Sequence, residues 1–466
     1  MTAMSLRATL LISVPALGLM VAVPAGARTL QEALAITYAT NPALQAQRAA
    51  LRATDENVPA ALAGWRPTVS ISAQAGYADG VTIARNNGVD AVGRANRGTN
   101  TETLTVTQPL YRGGATRSST NKAENQVMSQ RATLLQAEQT AFQNAVNAYV
   151  QFIQAQRTLE LQTNNEQVLG RQLQATQDRF RVGEITRTDV AQAEAALAGA
   201  KAQRQTAQGN LETARSAYRQ VVGELPEKLV EPQPLKLPQA TMDLARDMAE
   251  KNNPTVVAAL FSDAAAKDNV DLQYSRLMPT LSFQGSYGRT VDATAKNLST
   301  RVSQALLVAT VPIFQGGVEY AAIRQAVQQQ QQARKQLEDA RRTAVQQLTT
   351  AWTSYLATKE TITSTRQAIR SNEIALEGVQ REAIVGSRTT LDVLNAEQTL
   401  LISRTTLVTN LAALVTASYQ VAGAAGRLTA RDLDLKVPLY DETAYYKAVK
   451  DRWIGAGDYA TDQPGR

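Results

Sequence analysis

The stretch that decides the fold occurs twice, as "QPLYRGG" at residues 108–114 and as "VPIFQGG" at residues 311–317. Each copy follows a run that alternates polar and apolar residues, as strands do, and precedes a run rich in helix formers. Proline cannot donate to a strand ladder and is expected to end each strand, while paired glycines free the backbone to turn. The copies therefore predict two strand-to-helix junctions. Their residues are Pro109, Gly113, Gly114, Pro312, Gly316 and Gly317.

A long proline-free stretch follows each junction, over residues 110–225 and 313–437. A proline inside a helix costs about 3 kcal/mol or more, so its absence permits long helices. Apolar residues return at helical spacing within these stretches, as in the series Ala145, Phe152 and Leu159. Each stretch is therefore predicted to be helical.

Each helical stretch is interrupted once, at "RVGEITRTDV" (residues 181–190) and at "IVGSRTTLDV" (residues 384–393). Gly183 and Gly386 fit the left-handed position that closes a helix. Each stretch is thus predicted to form a hairpin of two helices. The first limb would run about 100 Å at a rise of about 1.5 Å per residue.

A Thr-x-x-Asp pattern follows each of these glycines, from Thr186 to Asp189 and from Thr389 to Asp392. The pattern is typical of a helix start, where the threonine and the acidic residue satisfy free backbone N–H groups. Capping alone therefore accounts for both aspartates.

The hydrophobic period changes to two after Pro67 and Pro279. "TVSISAQAGY" (residues 68–77) and "TLSFQGSYG" (residues 280–288) place apolar side chains on one face and small polar ones on the other. A return strand leads into each junction. The sequence predicts four strands of about ten residues, with a Gly- and Asn-rich loop over residues 79–98 between the first two.

The N-terminus is typical of a secretory signal. Arg7 supplies a positive charge, residues 10–23 are mostly apolar, and Ala25-Gly26-Ala27 resembles a cleavage site. An uncleaved membrane anchor is the alternative.

The remaining sequence divides into two similar halves, each opening with a predicted helical region, at residues 29–63 and 241–276. The predicted divisions are a signal peptide (1–27), a first repeat (28–223), a Pro-rich linker (224–240), a second repeat (241–426) and a C-terminal segment (427–466) with a disordered end.

The composition excludes several kinds of catalytic and binding site. The chain has no cysteine and no histidine, which removes disulfides, Cys/His zinc sites and Ser-His-Asp triads. Its formal net charge is +7 at pH 7, without a basic cluster beside aromatic residues, so nucleic-acid binding is not indicated. We predict no catalytic residue, metal site or cofactor. An exported enzyme stays open as an alternative, because 41 acidic residues are present.

Beyond residue 27 the sequence suggests no apolar run long enough to span a membrane as a helix. A membrane crossing would then have to use strands. Four strands cannot close a barrel, and lipid does not tolerate an open sheet edge. The pattern therefore predicts that several chains share their strands. A small water-facing sheet, which needs no oligomer, is the alternative.

The doubled order of helix, strand, strand, long helix and helix, the two junctions, and "VGSRTTLDVL" (residues 385–394) resemble the TolC-like outer membrane efflux protein family. The resemblance covers about residues 28–426. It implies an α+β membrane protein that forms a homotrimer. Each chain would give four strands to one twelve-stranded β-barrel, continuous with a long α-helical periplasmic barrel of coiled-coil hairpins.

The function implied by the resemblance is that of a passive exit channel in the cell outer membrane, extending into the periplasm. Such a channel serves a tripartite efflux pump or a type I secretion system and opens at its periplasmic tip on recruitment. The implied partners are a periplasmic adaptor (membrane fusion) protein, an inner-membrane pump or ABC exporter, and outer-membrane lipid. A non-conducting periplasmic coiled-coil structural or adaptor protein is the rival hypothesis.

The resemblance also implies a gate at the periplasmic tip. Arg388 matches the family's latch arginine, and Thr188 and Asp189 match its partners within and between chains. Asp392 matches a residue of an acidic ring in the pore.

This sequence departs from the family's gate at two positions. Asn395 replaces the second ring aspartate, and Ala383 replaces the latch tyrosine. One acidic ring and fewer closing hydrogen bonds are therefore expected.

Overall fold

A computed structural model describes residues 28–237, 241–292, 297–457 and 459. The predicted signal peptide, residues 1–27, lies outside the described residues, as do residues 238–240 at the end of the predicted linker. Most of the predicted disordered end lies outside them as well.

The described chain consists of helices and one antiparallel sheet of order β1-β2-β3-β4. The helices are α1 (Leu30–Thr40), α2 (Pro42–Asp55), α3 (Asn57–Leu62), α4 (Ala115–Arg181), α5 (Arg187–Val222), α6 (Met242–Asn252), α7 (Pro254–Tyr274), α8 (Val318–Ile384), α9 (Thr390–Ala424) and α10 (Ala444–Val449). The strands are β1 (Thr68–Asn86), β2 (Val89–Arg112), β3 (Thr280–Val291) and β4 (Ser299–Thr310).

The two long helices begin and end where the glycines predict. Helices α4 and α8 each contain 67 residues, which corresponds to about 100 Å. Each starts after a glycine with left-handed backbone, Gly114 at φ 89° and Gly317 at φ 85°. Each is followed by a second long helix, α5 or α9, so both predicted hairpins are confirmed.

Pro109 does not end its strand, contrary to the sequence-based expectation. Strand β2 continues to Arg112, and its register with β3 shifts between Pro109 and Tyr111. The shift is a bulge, which accommodates a residue without an N–H group before pairing resumes. At the second junction β4 ends at Thr310, before Pro312, as expected.

The predicted loop over residues 79–98 is also wrong. Strands β1 and β2 contain 19 and 24 residues and pair throughout this region, whereas β3 and β4 contain 12 each. The connection is a two-residue turn, Asn87-Gly88, with φ of 50° and 83°. Asn-Gly is the pair that such tight hairpin turns favour.

Strands β1 to β3 place apolar side chains on one face of the sheet and mostly small polar ones on the other, whereas β4 also carries apolar residues on the second face. Ile71, Leu104 and Tyr287 lie opposite one another on neighbouring strands, and 79%, 37% and 47% of their surfaces are exposed. The other face carries small polar residues such as the facing pair Thr105 and Ser286. This alternation confirms the predicted pattern and is typical of strands with lipid on one side and water on the other.

One helix in the described chain, α9, is long and apolar enough to cross a membrane by length and composition alone. The expectation that no such stretch follows residue 27 is therefore wrong by that measure. Helix α9 packs along α8 and α4, and Val415, Tyr419 and Ala422 belong to the main core. The C-terminal turns of α9 thus pack within the helical body.

The main core joins the N-terminal helices, α4 and the C-terminal segment. Tyr149 of α4 is fully buried, and its hydroxyl lies within hydrogen-bond distance of the carbonyl oxygens of Arg28 and Val230, at 2.9 and 2.6 Å. Glu138 of α4 is also buried and accepts the Ala430 N–H at 2.6 Å. These contacts fix the segments around Arg28, Val230 and Ala430 against the middle of α4.

Gly113 occupies a tighter position than its counterpart Gly316. Both have left-handed backbone, with φ of 60° and 70°. A Cβ at Gly113 would approach the Met278 Cβ to 2.4 Å and the Ser275 carbonyl oxygen to 2.7 Å, whereas one at Gly316 would meet nothing within 4 Å.

Gly113→Ala is therefore expected to destabilise the fold more than Gly316→Ala. Both variants carry the same backbone strain, and only the first adds a clash, for an extra cost of about 1–3 kcal/mol. Thermal unfolding followed by circular dichroism of the two purified variants checks this. Equal losses in melting temperature would contradict it.

Stability is also expected to depend on pH through Glu138. Burial raises the pKa of Glu138 to about 7, despite the opposing Ala430 N–H and the positive charge of Arg48; Asp432 and Glu442 also face it and raise the pKa further. The folded state therefore holds a proton that the unfolded state releases above about pH 4.5. Between this value and pH 7, rising pH removes stability, by about 3 kcal/mol at most.

Glu138→Gln keeps an acceptor for Ala430 and removes the titration, so it should flatten the stability profile between pH 5 and pH 8. Asp55 contributes a second, parallel slope, since burial raises its pKa to about 7 as well. Unfolding in urea at both pH values measures the change. A Glu138→Gln profile as steep as the wild type's would refute the assignment.

Candidate functional site at the helical tips

The first tip joins α4 to α5 through a turn closed by glycine. The Gly183 N–H donates to the Phe180 carbonyl and the Glu184 N–H to the Arg179 carbonyl, both at 3.0 Å. Gly183 has φ of 79°, the left-handed backbone predicted for it. The Arg179 guanidinium pairs with Glu184 across the turn at 2.7 Å.

The second tip joins α8 to α9 in the same manner. Gly386 has φ of 82°, and its N–H donates to the Ala383 carbonyl at 3.3 Å, while the Ser387 N–H donates to the Glu382 carbonyl at 3.0 Å. The two tips therefore present matching turns at corresponding ends of the 67-residue helices.

Both tip aspartates form capping boxes, as the Thr-x-x-Asp pattern predicts. The Asp189 N–H donates to Thr186 Oγ1 at 3.3 Å, and Asp189 Oδ2 accepts the Thr186 N–H at 3.0 Å. Asp392 and Thr389 form the same pair of bonds at 3.3 and 2.9 Å. Each carboxylate thus stabilises the start of its own helix.

These hydrogen bonds also keep both carboxylates charged. The pKa of Asp189 is lowered first by the Thr186 hydroxyl and then by the Thr186 N–H. The pKa of Asp392 is lowered first by the Thr389 N–H and then by its hydroxyl. Both groups are therefore negative at neutral pH and available to attract cations.

Arg388 pairs within its own chain with Glu382, not with Asp189. Its Nε donates to Glu382 Oε2 at 2.9 Å, and this pair is about half exposed. No ion pair joins Arg388 to Asp189 among the residues that the structure describes, and Thr188 is exposed. Sequence reasoning missed Glu382, because a partner six residues away across a turn depends on the turn's geometry.

The two positions that depart from the family's gate lie near these groups. Ala383 is buried beneath the second tip. Asn395 lines a cleft of about 820 Å³ between α4, α5 and α9. Leu169, Ala200 and Leu394 pack together along this cleft and hold the two hairpins against each other.

Comparison with known proteins identifies this architecture. A model of the outer membrane efflux protein family matches residues 31–224 and 245–427. The chain belongs to the outer membrane efflux protein family. This family consists of outer-membrane channels rather than enzymes, and its members extend from the outer membrane into the periplasm.

Relatives of this efflux protein cover most of its length. It is 35% identical over 429 residues to the outer membrane efflux protein BepC of Brucella suis, covering 92% of this chain and 91% of BepC. It is 28% identical over 410 residues to the outer membrane protein TolC of Escherichia coli, covering 84% of this chain and 81% of TolC.

A solved structure shares the fold at lower sequence identity. The crystal structure of the outer membrane protein VceC of Vibrio cholerae aligns with a TM-score of 0.74 at 20% identity, covering 85% of this chain and 96% of VceC. The efflux protein therefore has the fold of a known outer-membrane protein, with helical hairpins continuous with a four-stranded sheet.

Proposed function

We propose that the protein is the outer-membrane exit channel of a tripartite efflux pump or a type I secretion system. One observation carries the proposal: a sheet with an apolar face is continuous with two helical hairpins about 100 Å long. A lipid-embedded sheet joined to such helices reaches from the outer membrane far into the periplasm. The names and family of the relatives support this function.

The sheet supports assembly into a homotrimer. Strands β1 and β4 are its edges, each paired on one side only within the chain. An open edge leaves backbone groups unsatisfied in lipid. If β4 of one chain pairs with β1 of the next, three chains close a twelve-stranded barrel and leave no edge.

The helical body supports the same assembly. Ile402 and Leu411 of α9 and Ile374 of α8 are large apolar residues that are exposed in the single chain, at 56%, 39% and 67%. Contact with neighbouring copies would remove them from water. A tube of hairpins from three chains would continue the barrel into the periplasm.

The tips supply a gate in this assembly. In the closed channel, Arg388 would leave Glu382 and pair with Asp189 and Thr188, which would hold the tips together. Asp392 from each chain would line the throat and attract cations. Opening would follow recruitment by a periplasmic adaptor and an inner-membrane pump or ABC exporter, which supply the energy that a passive channel lacks.

Current through the purified protein in a planar lipid bilayer tests the proposal. Small, discrete and cation-preferring steps are expected. Folded oligomers that insert into the bilayer and carry no current would favour the non-conducting structural protein instead.

A further inference from the structure

We propose that Arg289 of β3 and Arg301 of β4 bind the phosphate headgroup of an outer-leaflet lipid on the outward face of the sheet. The inference goes beyond export, since it concerns what surrounds the barrel rather than what passes through it. It rests on the outer-membrane placement of the sheet and not on conduction.

The two arginines form a matched pair across neighbouring strands. Arg289 lies directly opposite Arg301 in the β3–β4 register, and Glu102 lies opposite Arg289 in the β2–β3 register. All three are exposed. Because facing residues share one side of a sheet, they lie on the same side as Leu104 and Tyr287, the apolar side.

The charges of this row are not balanced within the chain. Neither arginine forms an ion pair or hydrogen bond with any residue that the structure describes, and the row carries two positive charges against one negative. Like charges directly opposite each other destabilise a sheet. A bound anion between the two guanidinium groups would remove that repulsion.

A phosphate group fits between the two arginines. Guanidinium groups bind phosphate oxygens through two parallel hydrogen bonds. Side chains that face each other across an antiparallel pair start about 5 Å apart, so both can reach one phosphate group. Arg289 and Arg301 can therefore hold one phosphate group between them.

The depth of the pair places it at a headgroup layer. Arg289 lies about 30 Å along β3 from Thr280, or about 23 Å along the membrane normal at a strand tilt of about 40°. The apolar band of an outer-membrane barrel is about 25 Å tall. Tyr287 is exposed on the same face of β3, two residues nearer the helices than Arg289. Its position matches the aromatic girdle at the boundary between membrane and water.

The test compares Arg289→Gln/Arg301→Gln with the wild type, using the full-length oligomer in detergent. The control is Arg341→Gln/Arg342→Gln, which removes the same charge from two exposed arginines of α8. Binding of bisphosphorylated lipid A and of its dephosphorylated form is measured by native mass spectrometry. Lipid A should bind the sheet variant at least tenfold more weakly than it binds the wild type and the control, and dephosphorylation should abolish the difference.

Three outcomes would overturn the proposal. Equal lipid A binding by the sheet variant and the control would show that the two arginines do not bind the lipid. Full competition by equimolar inorganic phosphate would indicate a free-anion site instead. Loss of the oligomer in the sheet variant without added lipid would show that the arginines serve a neighbouring copy. Channel current is recorded from the same variant. An unaltered current would show that the proposed export function does not depend on this lipid site.

Discussion

Replacing Arg388 with alanine is expected to raise the single-channel conductance several-fold in a planar bilayer. In the assembled channel, Arg388 is proposed to link one tip to Asp189 of another, and without it the closed throat loses its main cross-link. A charge-assisted contact of this kind contributes about 1.5–3 kcal/mol where water is partly excluded, enough to shift the balance between closed and open tips.

The matched control for this experiment is Glu382→Gln. Glu382 is the partner that Arg388 holds within the chain, at 2.9 Å. If Arg388 acts only by keeping its own tip folded, removing either partner should raise the current equally. If it latches neighbouring tips, Glu382→Gln frees Arg388 for the gate and leaves the current at or below that of the wild type. Equal increases in both variants would therefore contradict the latch.

Disulfide cross-linking is expected to convert the chain almost completely into a covalent trimer. The native sequence has no cysteine, so a pair introduced at Ser70 of β1 and at Val308 of β4 would be the only one present. Both residues lie on the face that carries Thr105 and Ser286, near the helix-proximal end of the sheet. In a closed barrel, β4 and the next chain's β1 are about 4.8 Å apart, within the span of a disulfide.

To find the strand register between chains, the second cysteine is also placed at Gln304, Leu306 or Thr310, which lie on the same face of β4 as Val308. The control pairs Ser70→Cys with Ser286→Cys, because β3 is flanked on both sides by strands of its own chain. Oxidation followed by denaturing electrophoresis should show three linked chains for one β4 position and single chains for the control. Ladders longer than three, or no linkage at any position, would exclude the closed trimer.

Local signals in the sequence predicted the helical architecture well. Gly114 and Gly317 begin the long helices and Gly183 and Gly386 end them, because each needs the left-handed backbone that glycine adopts most easily. The capping boxes were predictable from a local pattern as well. A threonine and an acidic residue three positions later each accept the other's backbone N–H with a side-chain oxygen.

The ends of the strands were harder to predict. Pro109 stays within β2 because a bulge absorbs its missing donor, and a bulge has no clear sequence signal. Residues 79–98 contain many Gly and Asn residues, which indicated a loop. The Asn87-Gly88 turn, with Val81 and Ile83 alternating before it, was the signal that a continuing hairpin offered.

Contacts that depend on assembly could not be read from one chain. The Arg388–Glu382 pair follows from the turn's geometry, and the proposed contacts of Arg388 with Asp189 and Thr188 require a second copy. The edges of β1 and β4 indicate that a neighbour is needed and leave its register undefined. For that reason the gate stays a prediction, while the capping role of its two aspartates is established by hydrogen bonds within the chain.

Electron cryo-microscopy of the purified protein in lipid nanodiscs tests the central claim most directly. We expect three chains around one axis, with β4 of each chain paired to β1 of the next in a closed barrel and the helical hairpins continuing as a tube. A single chain whose four-stranded sheet keeps both edges unpaired, or any closed assembly of a different number of chains, would contradict it.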